Sequence, residues 1–174
     1  VLATVIELGT AIGDRRLVAR ATVKRSHVAM YLHPEQVDAV RLLGEAAGAI
    51  AVLRTFGDDA GLARASLLES EVRWTLGTGA LAAKAAERAA RYARRAGSRR
   101  EEAWSHGDYG YYAVFGPAPV AVATRRMEGW LSAAGGDAVL EANLSGFLAP
   151  LAAMEGRITE ARARLAQSRV VTDE

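Results

Sequence analysis

The stretch that decides the fold is VRWTLGTGALA, residues 72–82, because it permits two incompatible interpretations. In the first, a strand leads through a G-x-G-x-x-A loop into a helix, which is the fingerprint of a dinucleotide-binding enzyme. In the second, Gly77 is a tight turn between two helices. The first interpretation predicts an enzyme and the second a scaffold, so the surrounding sequence has to discriminate between them.

The flanking residues favour the turn. A dinucleotide-binding fold places an acidic residue at the end of a second buried strand, roughly 20 residues after the glycines. Glu101 and Glu102 lie at that distance, but the residues before them, 94–100, read RRAGSRR and cannot form a buried apolar strand. We therefore expect a helix up to residue 76, and a nucleotide-binding enzyme fragment using the GTGALA loop is kept as an alternative.

The composition is that of a folded, helical protein. The chain has 174 residues, of which 51% are hydrophobic and 24% charged, with no Cys and a net charge of +2. Ala, Leu, Arg and Glu dominate, which predicts an all-α fold. The lack of Cys excludes a disulfide framework, and with no apolar run of membrane-spanning length it leads us to expect a cytoplasmic protein with no membrane contact.

A repeated pair of residues indicates how the helices are arranged. A Gly followed by Asp or Ser recurs about every 40 residues, and a second break follows each pair about 20 residues later. Gly suits the left-handed position after a helix, and Asp or Ser caps the next one. The pairs are Gly13-Asp14, Gly57-Asp58, Gly97-Ser98 and Gly136-Asp137, and the second breaks are His33-Pro34, Gly77, Gly116-Pro117 and Gly156.

The spacing predicts a right-handed α-solenoid of stacked antiparallel helix pairs, because a single pair cannot bury its apolar face alone. We expect one domain over residues 1–174. Since residue 1 is Val and not Met, we also expect this domain to be a fragment of a longer chain. Residues 1–12 would be the second helix of an incomplete repeat, and the repeats would be 13–56, 57–96, 97–135 and 136–169. The nine predicted helices are 1–12, 14–32, 35–56, 59–76, 79–96, 99–115, 118–134, 137–155 and 158–169.

Residues 154–168, MEGRITEARARLAQS, resemble the tetratricopeptide repeat. The turn at Gly156 is followed by residues at the spacing of the family's small-large-small positions, and two earlier residues match its first-helix Leu-Gly pair. The other repeats are longer than the family's usual period of about 34 residues. The matching residues are Ala161, Leu165 and Ser168 in the second helix, and Leu148 and Ala149 in the first.

The Ala- and Arg-rich character of segments such as TFGDDAGLARASLLESEVRW, residues 55–74, resembles the helical-repeat arm of large bacterial signalling and transcription regulators. In those proteins a nucleotide-cyclase or DNA-binding domain and a P-loop ATPase precede the arm. The resemblance implies an arm that binds a regulatory partner. The Walker and cyclase motifs are absent from this sequence, so those activities do not transfer.

The function predicted from the sequence is non-catalytic binding of a protein, peptide or effector by a module that regulates a larger protein. We expect no catalytic residue, no cofactor and no metal. The partner would be another protein, a peptide or another domain of the same polypeptide. Tyr and Trp are favoured anchors in such surfaces. The candidate groove residues are Trp104, Tyr109, Tyr112, Arg64, Glu71, Arg100 and Asn143.

Three other features of the sequence bear on function: the histidines, an arginine-rich segment and the end helices. The histidines, at 27, 33 and 106, lack the spacing of metal ligands. The arginine-rich segment 88–100 contains one aromatic residue, Tyr92, and no recognition-helix pattern, so we do not expect nucleic-acid binding. The apolar faces of the end helices leave open an alternative function as a structural spacer or homodimerisation element.

Overall fold

The computed structural model describes residues 1–169, which contain nine α-helices, one 3-10 turn at Pro34–Gln36 and no strand. The predicted all-α helical-repeat fold is confirmed, and each of the nine predicted helices is present. The helices are α1 (Leu2–Ala11), α2 (Arg15–Leu32), α3 (Ala39–Thr55), α4 (Asp59–Thr75), α5 (Gly79–Arg95), α6 (Arg99–Phe115), α7 (Val120–Ser132), α8 (Ala138–Met154) and α9 (Ile158–Arg169).

The stretch at residues 72–82 is a turn between helices. α4 continues to Thr75, Gly77 has a φ of 71°, and Gly79 is the first residue of α5. A φ in this left-handed region is readily adopted only by glycine. The strand required before a dinucleotide-binding loop is a helix here, so the strand–loop–helix interpretation of residues 72–82 is wrong.

The predicted caps are confirmed at three helix starts. In each, an Asp side chain accepts a hydrogen bond from a backbone N–H three residues later: Asp14 from Leu17 at 2.9 Å, Asp58 from Gly61 at 3.0 Å and Asp137 from Leu140 at 3.1 Å. A fourth cap, which was not predicted, is Asp38, whose side chain accepts a hydrogen bond from the Arg41 N–H at 3.0 Å. Because of this cap, α3 begins at Ala39 and not at residue 35 as predicted.

The first compact unit spans Val1–Glu102. Each helix from α1 to α5 packs against the next, and the first helices of successive pairs, α2 and α4, also pack together. α4 lies at the centre, with ten of its 17 residues buried. α5 approaches α4 closely because its buried face consists of small residues, Gly79 and the alanines at 82, 85, 86, 89, 90 and 93.

The second compact unit begins at Ala103. α8 packs against α7 and α9, and the predicted apolar face of α8 is buried at Leu140, Leu144, Leu148 and Leu151, whereas Met154 is exposed. α6 approaches α8 through Gly110, where an added Cβ would lie 2.5 Å from the ring of Phe147. Residues 170–174, within the predicted domain, lie outside the described residues.

Candidate partner-binding groove

An open groove lies on the first unit between α1 and α3, with α2 as its floor. Its volume is about 460 Å³, which is within the range of roughly 300–1,000 Å³ found for ligand pockets. We call it the α1–α3 groove. Its lining is Gly9 and Thr10 from α1, Gly13 from the turn, Arg15, Val18, Ala19 and Thr22 from α2, and Glu45, Gly48, Ala49 and Val52 from α3.

The groove is open because small residues line its walls. An added Cβ at Gly48 would have no neighbour within 4 Å. α2 and α3 run in opposite directions, so Arg15 near the start of α2 lies toward the end of α3, at Val52, and Thr22 lies toward Glu45. The surface is therefore apolar along its length, with one charged residue at each end.

The two charged residues differ in how they are satisfied. Glu45 accepts hydrogen bonds from Ser26 Oγ at 2.5 Å, from Arg41 at 2.5 Å and from Arg25 at 3.2 Å, so its negative charge is neutralised within the molecule. Arg15 forms no ion pair with any residue between 1 and 169. The groove therefore has an uncompensated positive charge at the Arg15 end.

A second polar region joins α2 to the start of α4. Asp58, only 3% exposed, accepts hydrogen bonds from Arg20 at 2.5 and 2.6 Å and from Arg16 at 3.0 Å. The hydrogen bonds from Arg20 lower the pKa of Asp58 well below its usual value, and those from Arg16 and the Gly61 N–H lower it further, against the opposing effect of burial. These contacts are structural, because the carboxylate is fully occupied.

The predicted site residues on α4 are engaged within the molecule. Glu71 is buried, accepts a hydrogen bond from Tyr31 at 3.2 Å, and has its other oxygen 3.3 Å from His27 Nε2. Arg64 is exposed and pairs with Glu101 at 2.8 Å. Glu71 therefore joins α4 to α2, and neither residue lines the α1–α3 groove.

Of the three aromatic side chains predicted to line the groove, two are buried, and the prediction is wrong for them. Tyr109 and Tyr112 are each only 4% exposed, whereas Trp104 is 44% exposed. Tyr109 packs edge-on against Trp130 of α7, with ring centroids 4.8 Å apart, and the buried His106 stacks on the same ring at 4.2 Å. The face of α6 that contains both tyrosines is therefore a packing face, so they offer no accessible anchor.

The remaining predicted residues are not among those that line the groove. Asn143 is half-buried on α8 next to Gly107, and Arg100 is exposed near the start of α6. The site was predicted from large aromatic side chains, whereas the groove arises where side chains are small. A position-by-position comparison of the repeats would have given the signal, because α3 has Gly48 and Val52 where α5 has Arg88 and Tyr92.

Arginines of the segment 88–100 form ion pairs within the molecule. In the arginine-rich segment, Arg88 pairs with Glu69, Arg94 with Glu102 and Arg95 with Asp59. Within residues 1–169, no group of three His, Cys, Asp or Glu side chains is arranged to hold a metal ion. In the same range, every helix is too short or too polar to cross a bilayer.

No protein-family model matches this sequence, and no curated protein matches it either.

Proposed function

We propose that this protein is a non-catalytic helical-repeat module that binds a peptide segment in the α1–α3 groove. The segment would belong to a partner protein or to another domain of the same polypeptide. The observation that supports the proposal is the open apolar groove of about 460 Å³ on stacked helix pairs, since such arrays commonly bind partners along their surfaces. The proposal includes a cytoplasmic location and a role as the repeat arm of a larger bacterial regulator.

The lining supports binding without a chemical step. It consists mostly of Gly, Ala and Val, and its one carboxylate, Glu45, is held by two arginines and a serine. Apolar walls with few polar groups are typical of surfaces that bind an apolar side chain and orient it with a single charge.

Selection from a random peptide library displayed on phage tests this proposal. The wild-type protein would be compared with a variant carrying Gly48→Gln and Val52→Tyr, whose larger side chains fill the groove. We expect peptides that are enriched on the wild type and fail to bind the filled variant. Circular dichroism and thermal unfolding check that the variant is folded.

Two outcomes would contradict the proposal. Either no peptide is enriched on the wild type, or all enriched peptides bind the folded, filled variant equally well. A matched control is Gly44→Gln, which makes the same change on α3 at an exposed position that does not line the groove. Peptide binding to this control should equal binding to the wild type.

A second candidate function is homodimerisation, favoured by the exposed apolar side chains on α1 and directly after it. Leu8 is 61% exposed and Ile12 is 74% exposed. Analytical ultracentrifugation over a wide range of concentration tests this candidate. A mass that rises with concentration and returns to the monomer value in Leu8→Ser/Ile12→Ser would support it, and a constant monomer mass would exclude it.

A further inference from the structure

The two complete helix pairs of the first unit can be aligned residue by residue. α3 and α5 are both 17 residues long, and their positions differ by 40, from Ala39–Thr55 to Gly79–Arg95. The left-handed glycines before α2 and α4, Gly13 and Gly57, differ by 44. Each residue that lines the α1–α3 groove therefore has a defined counterpart around α4.

Around α4, the position that corresponds to the groove is filled. The counterpart of Gly48 is Arg88, whose guanidinium donates to Ser66 Oγ at 3.3 Å and to Glu69. The counterpart of Val52 is Tyr92, which packs against the hydrophobic core of the unit. The groove thus lies where α3 lacks the two large side chains that α5 provides.

The charges at the end of the groove differ in the same way. The counterpart of Arg15 is Asp59, which accepts hydrogen bonds from Arg95 at 2.6 and 3.1 Å. The guanidinium of Arg95 also lies over the ring of Tyr92, 4.7 Å from its centroid. The counterpart of Arg95 on α3 is Thr55, which has no charge to offer Arg15.

Elsewhere the two pairs compensate for their differences. Gly9 of α1 packs beside Leu17 of α2, and the counterparts are Leu53 beside Gly61, so a large and a small residue have exchanged places. At Gly48 no such exchange occurs, because Thr22 opposite it is larger than its counterpart Ser66 by only one methyl group. The space over α2 is therefore a local deficit and not a general loosening of the first pair.

We propose that the bound segment provides an aromatic ring and a carboxylate to the α1–α3 groove. They would take the parts that the ring of Tyr92 and the guanidinium of Arg95 play beside α4, with a negative charge in place of the positive one. The bound segment would be a helical segment of a partner protein with an aromatic residue at one position and Asp or Glu three residues later, the spacing of Tyr92 and Arg95. The ring would fill the space beside Val52 and Gly48, and the carboxylate would pair with Arg15. This inference rests on the proposed function of the α1–α3 groove.

Alanine-based helical peptides test the inference. The probe carries Tyr at position i and Glu at i+3, and its controls replace Tyr by Ala, Glu by Gln, or Glu by Lys. Fluorescence anisotropy measures binding to the wild type and to Arg15→Glu. We expect the Glu peptide to bind the wild type best and to lose about tenfold or more in affinity for Arg15→Glu, because the charge reversal replaces an attraction with a repulsion between like charges.

Charge reversal gives the sharper readout. Arg15→Glu should prefer the Lys peptide over the Glu peptide, whereas Arg162→Glu, the same change at an exposed position on α9, should leave the wild-type order unchanged. Equal binding of the Glu and Gln peptides to the wild type, or an unchanged preference in Arg15→Glu, would overturn the inference.

The library selection separates this inference from the proposed function. Groove-dependent peptides without an aromatic–acid pair would overturn the inference and leave the proposed function standing. Absence of any groove-dependent peptide would overturn both. Groove-dependent peptides enriched in an aromatic residue followed by Asp or Glu three residues later would support both.

Discussion

The helices α2 and α4 occupy equivalent places in successive repeats, yet their surroundings differ. Both follow a left-handed glycine and begin at an Asp cap. α4 has ten buried residues, whereas α2 has four and forms the floor of an open groove. A repeat can therefore keep its backbone pattern while the side-chain volume on the following helix decides whether its surface is closed.

The largest expected effect is at Leu53, which is fully buried against α4. Leu53 is the large residue of the Leu53–Gly61 contact, and the large residue of the equivalent Gly9–Leu17 contact, Leu17, is 37% exposed. Leu53→Ala should lower the free energy of unfolding by about 3 kcal/mol, since it removes buried methyl groups and leaves a cavity. Leu17→Ala should cost about 1 kcal/mol. Urea denaturation measures both, and equal losses would show that α2 and α4 are packed alike.

The next largest effect is the loss of stability when a helix cap is removed, and it should differ between Asp14 and Asp58. Asp14 caps α2 and is exposed, whereas Asp58 caps α4 and also holds Arg16 and Arg20. Asp14→Ala should cost about 1 kcal/mol, the usual value of a cap. Asp58→Ala should cost about 2 kcal/mol or more at neutral pH, because it also leaves two arginines without their partner. A loss no larger than that of Asp14→Ala would mean that the arginine contacts contribute nothing.

The cap at Asp58 should also make the stability of the protein sensitive to acid. Since folding lowers the pKa of Asp58, its stabilisation is complete above the unfolded-state pKa of about 4 and is lost as the pH falls toward the folded-state value. The wild type should therefore lose stability between about pH 4 and pH 2 more steeply than Asp58→Ala does. Denaturation at a series of pH values measures the slopes, and parallel slopes would contradict the assignment.

The smallest effects have opposite signs at two helical glycines. An added Cβ at Gly61 of α4 would lie 2.8 Å from Asp58 Oδ2 and 2.9 Å from Leu53 Cδ2, and both of those groups are held in place. Gly61→Ala should therefore destabilise by about 1–2 kcal/mol. Gly48→Ala should stabilise by up to about 1 kcal/mol, because the space is open and Ala is the better helix former. Destabilisation by Gly48→Ala would show that the groove is not open.

Local chemistry made much of the fold predictable. The turn at Gly77 and the caps at Asp14, Asp58 and Asp137 were predicted because a left-handed backbone favours Gly and an exposed helix start favours Asp. The start of α3 was missed because Asp38 follows no glycine, so it did not fit the repeated pair used to find the other caps.

The candidate site was predicted poorly because burial is not a local property. Tyr109 and Tyr112 were correctly placed on one face of a helix, but the sequence did not show that this face packs inward, with Tyr109 against Trp130. The α1–α3 groove depends on residues of three helices, and its opening at Gly48 is apparent only once α2 and α3 are brought together.

Sequence alone was enough to predict the helix boundaries to within about two residues, except at the start of α3, and the pairing of helices at a period of about 40 residues, because caps and turns depend on neighbours a few residues away. Tertiary structure alone decided which helix faces are closed and which surface is open. That outcome depends on whether side chains some 40 residues apart together fill the space between their helices, since a packing gap belongs to the set of residues around it and to none of them singly.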